Sequence, residues 1–329
     1  MYLKKLQDSW YRPVRIHWWL LPLEFLYRGV MQIRAFLYHY KIKRSFALDV
    51  PVVVIGNLTV GGTGKTPLVI ALCNHFLSMG KQPAVITRGY KSESNQTSRI
   101  ITEQDNAADV GDEAMLIYQH CHIPVIVGAN RVASGCKAIE AFDCDVIICD
   151  DGFQHLRLKR DIDVVVVDGQ RGFGNGHCLP VGPLREPTTA IKRSQAVVVN
   201  GNDLNVDHPN QYTMSLNIQT AVRMNSGDRS MLSQFTSEPV HAIAGIGNPD
   251  RFFQQLRHLG LQVIPHQFPD HHRFTETDIA FDDDLPVLMT EKDAVKCRNF
   301  ELSDKFWSVS VATDIEPDFY HYIESNIFP

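Results

Sequence analysis

The chain has 329 residues, room for about two domains of ordinary size. With 44% hydrophobic residues, 21% charged residues and a net charge of −5, it is not a disordered, collagenous or disulfide-scaffold sequence. The charge is unevenly placed. Residues 1–45 carry nine Lys and Arg against Asp8 and Glu24, a net of +7, while the other 284 residues carry a net of −12. The same 45 residues hold ten of the 31 aromatics and three of the four Trp. An acidic body argues against nucleic acid as a partner, and a basic, aromatic-rich head suits an anionic surface.

Within the head, the apolar stretch from Trp18 to Tyr40 is interrupted by Glu24, Arg28, Gln32 and Arg34. Two Arg and a Glu are costly at mid-bilayer, so a spanning helix is not expected. Spacing by four puts Glu24, Arg28 and Gln32 on one stripe of a helix, with Trp18, Leu21, Phe25, Val30, Ile33 and Leu37 over the rest. That pattern predicts an amphipathic helix in the membrane interface. The plainer alternative is a helical hairpin packed on the body, with Pro13 and Pro22 marking helix starts. No small-residue cleavage site follows, so the head does not read as a signal peptide. The seven Cys are odd in number and form no C-x-x-C pair, which fits reduced thiols in a cytoplasmic protein.

From residue 51, short β-branched runs alternate with helical patterns. The predicted strands are Val52–Ile55, Ala84–Thr87, Pro124–Val127, Asp145–Cys149, Asp163–Val167 and Ala196–Val199, with helices over Pro67–Met79 and Asp112–Gln119. Continuous Val/Ile runs suit strands buried on both faces, hence an α/β fold with a mostly parallel sheet flanked by helices. The signal weakens into Ser- and Asn-rich sequence around 205–237 and then resumes. Strands are predicted over Val240–Ala244, Gln262–Pro265, Val287–Thr290 and Trp307–Val311, with a helix over Asp250–His258. The expected organisation is a head (1–45), a core (46–212), a linker (213–237) and a smaller C-terminal α/β domain (238–329).

The clearest chemical signal follows the first run. Gly61-Gly62-Thr63-Gly64-Lys65-Thr66 lies between a predicted strand and a helix start at Pro67. Glycines turn backbone N–H groups toward a phosphate, and the helix N-terminus adds positive potential. Lys65 is placed to reach the β- and γ-phosphates and Thr66 to ligate Mg²⁺. Thr59 stands where the strict phosphate-loop pattern has Gly, and the Gly61-Gly62 pair compensates sterically. The run Asp145–Cys149 ends in Asp150-Asp151, the acids such a loop needs. Asp150 is the expected Mg²⁺ partner, and Asp151 is a second metal or substrate residue. Asn200-Gly-Asn-Asp203 lacks the Lys of a guanine-binding motif, which favours ATP over GTP. Val60 stands where a partitioning ATPase would be expected to carry its signature Lys.

Longer motifs narrow the choice. These are Thr87-Arg-Gly-Tyr90, Val110-Gly-Asp-Glu113, Asp150-Asp-Gly-Phe-Gln-His155, Gly174-Asn-Gly-His-Cys-Leu-Pro-Val-Gly-Pro-Leu-Arg-Glu-Pro187, Phe268-Pro-Asp-His-His272 and Thr290-Glu-Lys-Asp-Ala-Val-Lys296. Together they closely resemble the tetraacyldisaccharide 4′-kinase family of the Gram-negative lipid A pathway, from the head to about residue 296. The resemblance implies transfer of the γ-phosphate of ATP, with Mg²⁺, to the 4′-hydroxyl of a tetraacylated glucosamine disaccharide 1-phosphate, giving lipid IVA. It also implies a monotopic enzyme at the cytoplasmic face of the inner membrane, with no nucleic acid and no obligate protein partner. The family's catalytic pair falls on Asp112 and His271, its phosphate-loop pair on Lys65 and Thr66, its strand-end acids on Asp150 and Asp151, and its phosphate-binding Arg on Arg185. On residue type alone each has a plainer reading: Asp112 as a helix N-terminal acid, His271 as an exposed turn residue, and Arg185 as half of a surface ion pair.

Overall fold

The computed structural model describes residues 9–11, 17–89, 98–201 and 204–328; Pro13, Tyr90, Asn202 and Asp203 lie outside them. The head forms helix α1 (Leu21–His39), with Pro22 in its first turn. The apolar runs then become strands because each can bury both faces. β1 (Val52–Gly56), α2 (Lys65–Ser78), β2 (Pro83–Thr87) and β3 (Arg99–Ile100) are followed by α3 (Ala107–Val110), α4 (Asp112–Cys121), β4 (Val125–Val127) and α5 (Arg131–Ala141). β5 (Val146–Asp150), β6 (Ile162–Asp168) and β7 (Ala196–Asn200) complete a first set whose central strands are buried at every residue. The second set is β8 (Gln211–Arg223), β9 (Arg229–Met231), β10 (Pro239–Ala244), α6 (Pro249–His258), β11 (Gln262–Gln267), β12 (Val287–Thr290), α7 (Glu291–Ala294), β13 (Phe306–Ile315) and α8 (Pro317–Ile327).

All thirteen strands share one sheet, ordered β11-β10-β12-β13-β8-β7-β6-β1-β5-β2-β4-β3, with β9 on β8. The first half, from β7 to β4, is parallel, and so is the second, from β11 to β13. The two meet in the antiparallel pair β8–β13. Gln211–Met214 of β8 pair with β7, and Phe306–Val309 of β13 pair with β12. Between those stretches, Ser215–Ile218 and Val311–Asp314 have only each other as sheet partners among the described residues, next to a register shift at Val309/Val311. A narrow two-stranded ribbon therefore joins the halves. The residues that follow the strands of both halves nevertheless meet, as the His271–Asp112 and Arg251–Asn200 contacts show.

Three expectations are corrected. Residues 213–237 are not a free linker: β8, the longest strand, runs into them, and its half-buried face alternates too irregularly to read as a strand. The smaller domain does not hold all of 238–329, because Phe319, Ile323 and Ile327 of α8 pack in the core of the first half with Phe76 of α2. Helix α2 starts at Lys65, two residues before Pro67.

The head carries its faces inverted. Glu24 is 4% exposed, whereas Phe25 is 82% and Trp18 70% exposed, and Leu26, Val30, Ile33 and Phe36 are exposed with them. No helix among the described residues is long and apolar enough to cross a membrane. All seven Cys are free, and all but Cys136 are buried.

Candidate active site

β1 lies between β5 and β6, and the chain leaves it toward β2 on one side and reaches β6 on the other. Such a reversal leaves a crevice beyond the strand ends, where α/β sheets bind ligands. The loop from β1 to α2 turns through Gly61 and Gly64, at φ 102° and 98°. A Cβ at Gly64 would come within 2.5 Å of Asn200 Nδ2, so both backbone angle and space demand glycine there. Asn57 Nδ2 donates to Gly61 O (3.4 Å) and Thr63 Oγ1 (3.3 Å), and Asn200 Nδ2 donates to Thr63 O (3.0 Å). Arg251 of the second half holds Asn200 Oδ1 at 2.9 Å.

The two acids at the end of β5 differ in environment. Asp150 is fully buried; its Oδ2 accepts a bond from Thr87 Oγ1 at 3.3 Å, and its Oδ1 has no hydrogen-bond partner. Burial pushes its carboxyl up to about 7, and the nearby charges of Glu113 and Asp151 act in the same direction against Lys65. An orphaned, buried carboxylate oxygen beside the phosphate loop suits a divalent cation, which Mg²⁺ sites of this kind hold through one or two carboxylates plus phosphates. Asp151 instead holds cations from the chain itself. Arg185 Nη1 donates to its Oδ1 and Oδ2 at 2.8 and 2.9 Å, and Lys65 Nζ lies 3.5 Å away. Burial opposes its charge, but Lys65 and Arg185 outweigh that and keep the carboxyl well below the usual carboxylate range.

A second group forms where the halves meet. Asp112 opens α4, and His271 follows β11. His271 Nδ1 lies 2.9 Å from Asp112 Oδ2 and 3.1 Å from Oδ1. Lys292 and Lys296, from the segment after β12, place their Nζ atoms 3.8 and 3.7 Å from Asp112 Oδ2. Burial works against the Asp112 charge, yet the His271 hydrogen bond and the two lysines hold its carboxyl well below the usual range. Asp112 is thus an ionised acceptor and His271 Nδ1–H its donor. Asp151 and His271 both sit at positive φ, 50° and 57°, which costs a non-glycine residue energy and accumulates at functional sites.

Sequence and fold comparisons give the family of the chain as a whole. The profile of the tetraacyldisaccharide-1-P 4′-kinase (LpxK) family matches residues 16–327. The chain belongs to that family. It is 42% identical over 325 residues to the tetraacyldisaccharide 4′-kinase of Hahella chejuensis, covering 97% of this chain and 95% of that one. It is 39% identical to the enzyme of the same name from Pseudomonas paraeruginosa, covering 98% and 97%. The crystal structure of Aquifex aeolicus LpxK in complex with ATP is similar in fold, with a TM-score of 0.80 at 26% identity over 94% of this chain and 98% of that one.

In this LpxK family member the expected residues fall into two sets: Gly61–Thr66 with Asp150, Asp151 and Arg185, and Asp112 with His271. Glu113 links them, its charge acting on Asp150 and its carboxylate holding Lys292 at 3.1 Å. Motif reading passed over Asp270 and Lys296 although both lie inside quoted motifs. It used Asn200 only as the start of a run lacking a guanine-binding Lys, although a residue ending a strand beside the phosphate loop occupies the same edge as Asp150. Arg251 and Asn57 carry no sequence signal of their own.

Proposed function

We propose that this chain transfers the γ-phosphate of ATP to the 4′-hydroxyl of a tetraacylated glucosamine disaccharide 1-phosphate, working at the cytoplasmic face of the inner membrane. The observation that carries the residue-level reading is the Asp112–His271 pair, made by the two halves together at one end of the cleft that holds the phosphate loop. A sugar hydroxyl is a weak nucleophile, and the ionised Asp112 accepts its hydrogen bond and then its proton. A carboxylate of such low basicity suits the loose phosphoryl-transfer transition state, in which the proton leaves late and alignment matters more than base strength. His271 fixes the carboxylate's orientation.

Lys65 and Arg185 are paired to Asp151 and pass to the nucleotide when its phosphates compete for them. There they offset charge on the equatorial oxygens during transfer. Mg²⁺, when bound, is held by Thr66, Asp150 and Asp151 and supplies charge stabilisation at the β- and γ-phosphates. The exposed apolar face of α1 supports seating on the bilayer that contains the acceptor, with Trp18 and Trp19 at headgroup depth.

Incubation with labelled ATP and the tetraacyl disaccharide 1-phosphate in detergent tests the reaction. Label at the 4′ position is expected. ATP consumption independent of the acceptor, with no phosphorylated lipid, would replace this reading with a nucleotide-driven switch.

A further inference from the structure

Lys292 is in an unusual place for a lysine. Its side chain is 18% exposed, and its ammonium meets three carboxylates contributed by both halves of the sheet. Glu113 Oε1 of α4 accepts at 3.1 Å, Asp270 Oδ1 from the loop after β11 lies 3.5 Å away, and Asp112 Oδ2 lies 3.8 Å away. Asp270 Oδ1 is buried and has no hydrogen-bond partner, so Lys292 is the charge that offsets it. Lys296 is committed differently: it is bonded at 2.7 Å to Asp293 of its own segment, and the other oxygen of Asp293 takes Gly245 N–H at 2.8 Å. Together Asp112, Glu113, Asp270 and Asp293 set four carboxylates against two lysines and His271. Nucleotide phosphates arriving nearby add further negative charge. Without Lys292, Glu113 and Asp270 would lose the cation set between them across the seam, and Asp112 would keep only His271 and Lys296.

The backbone places Lys292 firmly. It follows β12 directly, in the first turn of α7, whose N-cap Thr290 accepts a hydrogen bond from Asp293 N at 3.2 Å. The neighbouring Glu291 accepts from Val311 N–H at 3.2 Å, beside the register shift in β13, and faces His120 of α4 at 3.1 Å. The segment therefore touches the ribbon between the halves and the helix that begins with Asp112.

We propose that Lys292 is a positioning residue for phosphoryl transfer: by bonding Glu113 and neutralising Asp270 it holds the second half against α4 and fixes Asp112 in its working orientation. The proposal rests on the reading of Asp112 as the proton acceptor. It assigns Lys292 no contact with either substrate, so its loss acts on the catalytic step and not on nucleotide binding.

The test uses the full chain with Lys292→Met, Lys292→Arg and, separately, Asp112→Asn. Spin labels at Glu103→Cys and His258→Cys, with the exposed Cys136 replaced by Ser, report the distance between the halves. Lys292→Met is expected to bind a fluorescent ATP analogue within about 2-fold of wild type and to lose about 10- to 100-fold in kcat, with a longer label distance. Lys292→Arg, which retains the charge, is expected to recover most of both losses. Wild-type kcat and distance in Lys292→Met overturn the proposal. A fall in kcat that leaves the distance unchanged and is not recovered by Arg overturns it as well. If Lys292→Met does not fold, Asp270→Asn removes a partner of the same ammonium on the second half, 3.5 Å away, and its kcat, nucleotide affinity and label distance are read against the same outcomes. Wild-type turnover in Asp112→Asn would instead overturn the reading of Asp112. The label distance then decides whether Lys292 joins the halves.

Discussion

The two halves of the sheet are built to different ends. The first is complete in itself: its central strands are buried Val/Ile runs, and their C-terminal edge carries the phosphate loop, Asp150 and Asp151. The second has its own apolar core around Phe252, Leu256, Leu288 and Trp307 but carries no phosphate loop. It supplies His271, Lys292 and Lys296, whose partner Asp112 belongs to the first half. On the proposed reading, nucleotide binding and preparation of the acceptor hydroxyl are thereby separated in the chain, in halves joined by the ribbon of β8 and β13.

The sharpest break of this comparison removes the carboxylate that His271, Lys292 and Lys296 of the second half all face. Asp112→Asn keeps the shape and loses the charge, and phosphorylation of the acceptor is expected to fall by about 10²–10⁴-fold, the usual worth of a general base. Nucleotide affinity, measured by fluorescence titration, should stay near wild type because no phosphate-loop residue is touched. His271→Ala acts from the second half and is expected to cost less, about 10- to 100-fold in kcat, because it misaligns the carboxylate without removing it. Near-wild-type turnover in that variant would remove His271 from the mechanism.

Sequence made the first half legible and much of the second half's role obscure, for a physical reason. The strand-end acids and the Gly-Lys-Thr turn are local patterns, since β1, the loop and α2 follow one another within 27 residues. The Asp112–His271 contact spans 159 residues and depends on how the two halves pack, which no local period encodes. Lys296 and Asp270 sat in view inside quoted motifs, yet a Lys or Asp in a loop is usually solvated. Their significance comes from partners that only the fold supplies. β8 was missed because a strand exposed on parts of both faces gives neither alternation nor a continuous apolar run.

The head sharpens the comparison, because its side-chain hydrogen bonds among the described residues go to the first half. Glu24 accepts from Cys178 N and His177 Nδ1, both at 2.8 Å, and Tyr27 Oη donates to Arg185 O at 2.8 Å. On the proposed membrane seating, the bilayer would carry the phosphate-loop half and leave the other half to be positioned by the ribbon. Phe25→Glu takes away one large exposed apolar group at a cost of about 1.5–3 kcal/mol if that group is buried in lipid. Co-sedimentation with anionic vesicles is expected to weaken by about 10- to 100-fold, while turnover of detergent-dispersed acceptor is unchanged. Unchanged sedimentation would assign the apolar face of α1 another role.

The smallest effect comes from an ion pair at the seam itself. His120 of α4 and Glu291 of α7 lie 3.1 Å apart, and the Glu291 hydrogen bond raises the His120 pKa above its ordinary 6.5 although burial opposes it. A histidine whose folded-state pKa is raised stabilises the protein fully below its unfolded pKa, and that stabilisation fades as pH rises through the folded value. The pair is partly solvated, so its worth is about 0.2–1 kcal/mol. His120→Gln should therefore lower the melting temperature by about 1–3 °C at pH 6 and by less at pH 8.5. An equal shift at both pH values would mean that His120 contributes through packing and not through its charge. The charge holding the seam would then come from the Lys292, Lys296 and His271 contacts to α4 and not from this pair.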